Sequence, residues 1–168
     1  MKLRSFPWRT ALAATLSLAS GTPLVSTPAR AAAPLVKTQA PGYYRLMLGD
    51  FEVTALSDGT LEMPLDKMLT HVKPAQVEKA FARAFLKSPV EGSFNAFLIN
   101  TGSQLVLVDT GAGNLYGPTL GKLQANLKAA GYQPEQIDAV LITHLHPDHM
   151  GGLMAGDQRA FPNATMPL

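Results

Sequence analysis

Three of the four histidines in this chain fall in one short run, Thr143-His144-Leu145-His146-Pro147-Asp148-His149-Met150-Gly151-Gly152. Imidazoles beside a carboxylate suit a borderline divalent transition metal. His144 and His146 are two apart, so at the end of an extended segment they point to one side. Pro147 turns the chain and lets Asp148 and His149 approach from a second direction. Adjacent side chains diverge, so the spacing predicts that Asp148 and His149 serve a different metal from the first pair. Two such metals sharing a hydroxide would bring this nucleophile toward a neutral pKa. Asp148 would ligate one metal and orient the water. The metals would also stabilise charge growing on a carbonyl or phosphoryl oxygen. A plain core or surface cluster, or a nickel- or copper-sequestering module, is the weaker reading of this run. Gly151-Gly152 permits close backbone approach behind it.

A second constellation is Asp109-Thr110-Gly111-Ala112-Gly113, directly after an aliphatic stretch. Asp109 at a strand end could be a metal ligand, an acceptor for a histidine N–H, or a turn cap. The acceptor role matters because a ligating imidazole needs its other nitrogen anchored. His71, the fourth histidine, reads as a loop residue before a helix and not as a ligand. Asn163-Ala164-Thr165 matches a glycosylation sequon, but an exported bacterial-style protein would not use it.

Strands and helices must place these residues. Residues 43–48 and 51–56 read as strands joined at Gly49-Asp50, and Asp58-Gly59 reads as a second turn. Residues 61–64 read as a short edge strand, because Pro64 cannot donate to a ladder. A helix is predicted from Pro74, with Val77, Ala80, Phe81 and Phe85 as its apolar stripe. Residues 95–100 and 104–108 read as strands, the second aliphatic enough to be central. A helix is predicted over 118–130, with Leu120, Leu123, Leu127 and Ala130 inward and Gly131 as its stop. Residues 139–142 form another buried strand, and the histidine run lies at its C-terminal end. The order is that of a mixed α/β domain with ligands on loops beyond strand ends.

The N-terminus reads as an export signal over residues 1–31. Lys2, Arg4 and Arg9 precede the apolar stretch 11–19, and Ala29-Arg30-Ala31 is a small-x-small cleavage pattern. The apolar stretch is too short to span a bilayer. The chain carries a formal net charge of +2. Removing the leader takes four of the 14 basic residues and none of the 12 acidic ones, leaving ten against twelve and a net −2. The basic balance belongs to the leader and is no argument for a nucleic-acid partner. There is no cysteine, which excludes disulfides, thiolate-bound zinc and iron–sulfur clusters. Residues 32–168 are long enough for one domain with a core.

The two constellations together resemble the metallo-β-lactamase superfamily. Its hallmark is His-x-His-x-Asp-His, here His144, His146, Asp148 and His149, accompanied by Asp-Thr-Gly, here Asp109-Thr110-Gly111. The leader, Ala40-Pro41-Gly42-Tyr43-Tyr44-Arg45, Thr54-Ala55-Leu56-Ser57-Asp58-Gly59-Thr60 and Leu105-Val106-Leu107-Val108-Asp109-Thr110-Gly111 look like the methyl parathion hydrolase (organophosphorus hydrolase) group of that superfamily. The resemblance implies an α/β fold, an αβ/βα sandwich of which this chain supplies the N-terminal half. It implies a periplasmic or secreted homodimer with two Zn2+ per complete site. His144 and His146 would bind the first metal, Asp148 and His149 the second, with Asp109 supporting from behind and Tyr116 lining the substrate pocket. The implied reaction is attack of a metal-bridging hydroxide on aryl phosphotriesters such as methyl parathion. A lactone or aryl ester is the alternative substrate, and a non-catalytic metal-binding remnant the alternative of another class. The family chain is roughly twice as long, so further metal ligands are expected beyond Leu168. The chain by itself is expected to bind metal weakly, to expose one sheet face and to have little activity.

Overall fold

The computed structural model describes residues 33–167. The export signal expected over 1–31 lies outside them. The chain divides between Lys37 and Thr38. Residues 33–37 contain no helix or strand, and the unit from Thr38 onward carries the fold.

The first hairpin forms as the pattern predicts. Strands β1 (Tyr43–Leu48) and β2 (Phe51–Met63) pair antiparallel, with Leu48 opposite Phe51 across Gly49-Asp50. Asp58-Gly59 is not a turn. Strand β2 runs straight through it, and its register against β3 (Val90–Asn100) shifts between Ser57 and Gly59. This is a bulge, which inserts residues without ending the strand. Gly59 sits at φ 128° with the Thr119 carbonyl where a Cβ would stand, so only glycine serves. The edge strand predicted at 61–64 is therefore the end of β2, and Pro64 falls just beyond it.

A short helix α1 (Leu65–Met68) precedes α2 (Pro74–Arg83), which starts at the predicted proline. The predicted apolar stripe of α2 is not buried as a whole. Val77 is buried, Ala80 is exposed, and Phe85 lies past the helix end, 97% exposed. Periodicity marks a face that favours burial but does not supply the partner.

Strand β4 (Leu105–Val108) returns antiparallel to β3. Helix α3 (Leu123–Ala129) then crosses to β5 (Ala139–Leu141), which lies parallel to β4. The sheet order is β1-β2-β3-β4-β5. Helix α3 starts later than residue 118 because Gly121 stands at φ 77°, outside the helical region. A one-turn helix α4 (Pro147–Met150), a 3-10 turn (Gly151–Leu153) and a small hairpin of β6 (Met154–Ala155) and β7 (Gln158–Arg159) follow.

Alternation along the strands gives the sheet two different faces. One carries Leu56, Ala96, Leu98, Leu107 and Val140, which pack with Leu123 and Leu127 of α3 and with Ile137, Phe161 and Ala164. The other carries two cross-strand rows, Tyr44-Ala55-Phe97-Val108-Leu141 and Leu46-Val53-Ile99-Val106-Ala139, read from the pairing register. Every residue in both rows is apolar or aromatic. Yet Tyr44, Leu46, Phe97 and Leu141 are each at least 40% exposed. A continuous apolar face of this kind marks an interaction surface in a soluble protein.

A polar tie holds the first face at the end of α3. The Tyr132 hydroxyl donates to Glu52 Oε1 at 2.6 Å and accepts from Asn100 Nδ2 at 3.1 Å. Arg45 donates to Glu52 at 3.2 Å and to the Ala130 carbonyl at 2.5 Å. Burial and the bond to Glu52 hold the Tyr132 phenol above its ordinary pKa of 10.0. Tyr132→Phe should lower unfolding free energy by about 1–2 kcal/mol, the net value of hydrogen bonds of this kind. Chemical denaturation checks this, and an unchanged midpoint would refute it.

Candidate metal centre

The parallel pairing of β4 and β5 positions the site. Val108 lies opposite Leu141, so the chain leaves both strands at the same edge of the sheet. Asp109 follows one strand, and Ile142 and Thr143 follow the other. Open α/β sheets bind ligands at such carboxyl ends of parallel strands.

Asp109 turns there in the left-handed region, φ 61°, which aspartate tolerates better than most residues. Its N–H donates to the Leu141 carbonyl at 2.8 Å. Its carboxylate is 7% exposed as a residue and collects donors from the histidine loop. Thr143 N–H donates to Oδ1 at 2.8 Å, and the Thr143 hydroxyl lies 3.0 and 2.9 Å from the two oxygens. His149 Nδ1 lies 2.8 Å from Oδ2. Of the three roles open to Asp109, the geometry is that of the histidine acceptor.

Burial would push the Asp109 carboxyl up, but the bonds from His149 and Thr143 outweigh it and hold the pKa below 3.8. A depressed carboxylate stabilises the fold above its unfolded pKa, and that contribution is lost as pH falls through the lower folded value. Acid unfolding should therefore include a limb below about pH 4. Asp109→Asn should remove that limb, as equilibrium denaturation at stepped pH would show. A variant with the parent's acid profile would contradict it.

The three histidines of the run cluster, and Asp148 lies beside His149. His144 and His146 have ring centroids 4.5 Å apart, as spacing by two predicts. The adjacent Asp148 and His149 do not diverge from one another as their spacing suggests. The His149 ring is 3.9 Å from that of His144, closer than His146 is. His149 Nε2 is 3.2 Å from Asp148 Oδ2. The reason is local. His146 caps α4, with Pro147 at its first position, and one helical turn brings the His149 ring back beside that of His144. The turn expected at Pro147 is a helical one.

The donor set fits a cation. When Nδ1 of His149 donates to Asp109, Nε2 faces the Asp148 carboxylate at 3.2 Å, and a cation bound between them would satisfy both. Among the described residues no three of His, Asp or Glu gather around one point.

Backbone contacts hold this loop to the Asp109 turn. Thr110 N–H and its hydroxyl both donate to the His149 carbonyl, at 2.8 and 3.0 Å. Gly152 N–H donates to the Gly111 carbonyl at 3.2 Å. A Cβ at Gly151 would collide with the Ala112 carbonyl, and one at Gly152 with the Thr110 carbonyl. Sequence reasoning explained these glycines by close approach but could not say to what.

Tyr116 lies on the loop between β4 and α3 and is 42% exposed. The neighbouring Leu115 comes against Gly151. His71 stands on the exposed loop between α1 and α2 at φ 61°. Sequence reasoning missed Asp58, read as a turn residue. It is fully buried beneath the Asp109 turn, and its only sequence signal is an acid inside an otherwise strand-like segment.

The sequence pattern of the metallo-β-lactamase superfamily matches residues 90–166. Exodeoxyribonuclease WalJ of Streptococcus pneumoniae is 37% identical over 76 residues, 45% of this chain and 25% of that one. A crystal structure of the hydrolase AbOPH in the β-lactamase superfamily superposes with a TM-score of 0.73 at 43% identity, covering 77% of this chain and 45% of that one. AidC, a dizinc quorum-quenching lactonase in complex with a product, superposes at 0.70 with 27% identity, covering 74% and 44%. The chain spans less than half the length of each of these proteins. It has the metallo-β-lactamase fold, with a mixed α/β sheet as its core, and the solved structures it resembles include hydrolases of that fold.

Proposed function

We propose that the protein is a metal-dependent hydrolase with two divalent ions, zinc by its donor chemistry, acting on aryl phosphotriesters such as methyl parathion. One observation carries this reading. Beyond the carboxyl ends of two parallel strands the His144 ring lies 4.5 Å from that of His146 and 3.9 Å from that of His149, Asp148 lies 3.2 Å from His149, and Asp109 braces His149 at 2.8 Å. His144 and His146 would hold one ion, and Asp148 and His149 the other. Bound metal supplies an activated water and a Lewis acid for the electrophile. Asp148 is positioned to orient that water, and Asp109 keeps the His149 ring turned so that Nε2 faces Asp148. Tyr116 would line the leaving-group side.

A lactone or aryl ester is the second reading. The likeness to a dizinc lactonase favours it, and carbonyl and phosphoryl electrophiles make the same demand on the site. The basic and then apolar N-terminus supports a periplasmic or secreted location. The exposed apolar sheet face supports self-association.

The test is elemental analysis and turnover of the whole protein. Substrates are methyl parathion, aryl acetates, N-acyl homoserine lactones and a DNA oligonucleotide. Two zinc ions and phosphotriester turnover that a chelator abolishes are expected. Lactone or aryl-ester turnover alone would select the second reading. Metal without hydrolysis of any small ester, or cleavage of the oligonucleotide alone, would sink both.

A further inference from the structure

We propose that Asp58 is a positioning residue for the metal loop, acting through the Asp109 turn. The inference rests on the metal-site reading above and names a residue outside the histidine and aspartate motifs.

Asp58 is fully buried at the bulge of β2. Its Oδ2 accepts from Ala112 N–H at 2.9 Å, and its Oδ1 from Leu123 N–H at 3.1 Å. Its main-chain carbonyl accepts from Lys122 N–H at 3.0 Å. One carboxylate thus joins three parts of the chain: the bulge in β2, the turn after β4 and the first turn of α3. A hydrogen bond from a backbone N–H to an ionised acceptor is among the strong ones. The bulge is what makes the bond possible, because it shifts the register at this residue.

The turn held by Asp58 is the one that holds the histidine loop. Gly111 lies directly on the Asp58 carboxylate, where a Cβ would collide. One residue earlier, Thr110 binds the His149 carbonyl through N–H and hydroxyl. One residue before that, Asp109 binds His149 Nδ1. Gly111 itself accepts from Gly152 N–H. The path from Asp58 to the His149 ring is a chain of direct contacts along consecutive backbone. A pocket of about 180 Å³ lies beside Asp58, Thr110 and Gly152.

Asparagine at position 58 keeps the shape but offers only one oxygen. It can satisfy Ala112 N–H or Leu123 N–H, and its NH2 group then faces the other donor. Alanine satisfies neither.

The experiment compares the full chain with Asp58→Asn and Asp58→Ala by two readouts. The first needs no metal: the His149 Nδ1–H proton, observed by NMR of 15N-histidine-labelled protein, together with exchange protection of the Ala112 and Leu123 amides. The second is cobalt affinity by absorption titration. In the parent chain the His149 Nδ1–H signal should resist exchange with water and both amides should be protected. In Asp58→Asn the His149 signal should broaden or vanish while β2 and β3 amide shifts persist. Cobalt should bind about 10-fold more weakly, the lower end of the effect of disturbing a ligand's outer partner. An unchanged His149 signal and affinity in folded Asp58→Asn would overturn the proposal. If both variants fail to fold, the parent decides: unprotected Ala112 and Leu123 amides overturn it, and protection supports it. A parent with the His149 signal intact but no cobalt bound would refute the metal reading while leaving the positioning path supported.

Discussion

Asp109→Ala should weaken zinc binding by about 10–100-fold, the usual consequence of losing a ligand's outer hydrogen-bond partner. The alanine removes three anchors together. His149 Nδ1 loses its acceptor at 2.8 Å. Thr143 N–H and the Thr143 hydroxyl lose theirs. The imidazole is then free to rotate and to change tautomer, so Nε2 no longer faces Asp148. Leaving the Thr143 N–H without a partner costs a further ~1–3 kcal/mol of stability if water does not replace it. The left-handed backbone at this position adds strain that the aspartate offset by its local bonds. Competition titration against a chromophoric chelator measures the first effect and thermal melting the second. A variant that keeps parental zinc affinity would show that Asp109 does not orient the histidine.

Gly152→Ala is the other large expected effect, and it works by steric contact alone. Its Cβ would stand on the Thr110 carbonyl, which belongs to backbone and cannot rotate away. Thr110 also binds the His149 carbonyl. The methyl therefore wedges the histidine loop away from the Asp109 turn at the point where the two are laced. Overpacking of this kind costs about 1–3 kcal/mol, and metal affinity should fall with it by more than tenfold as His149 withdraws from Asp109. Urea denaturation and cobalt titration on the same preparation test both. Parental values for both would mean that the loop has slack the contacts do not suggest. A loss of stability with unchanged affinity would separate the lacing from the ligand geometry.

These expectations use different kinds of information, and the sequence supplied them unequally. The donor types were legible outright. Three histidines and an aspartate in six positions single out a candidate cation site from the residue types alone. The strands were legible because aliphatic runs and alternation are local signals, as were the Gly49-Asp50 hairpin and the Pro74 start of α2. The Asp109 turn was legible as a site element, but its role stood open among three. The bulge at Asp58-Gly59 was not legible. A turn and a bulge draw on the same residues, and only pairing with β3 distinguishes them. The start of α3 was placed early for a related reason, because the left-handed Gly121 is a conformational choice made by its contacts.

What only tertiary structure decided is how these local pieces meet. The parallel pairing of β4 with β5 brings Asp109 beside Thr143, 34 positions away in the chain. That contact turns a carboxylate with several possible roles into the acceptor for His149. The single turn of α4 sets the His149 ring 3.9 Å from that of His144 and Asp148 3.2 Å from His149, distances that linear spacing does not give. Asp58, 54 positions before Ala112, holds the turn that holds the site. Side-chain chemistry is a property of the residue and survives in the sequence. Convergence depends on register, crossover and bulge, which are set by packing over the whole sheet.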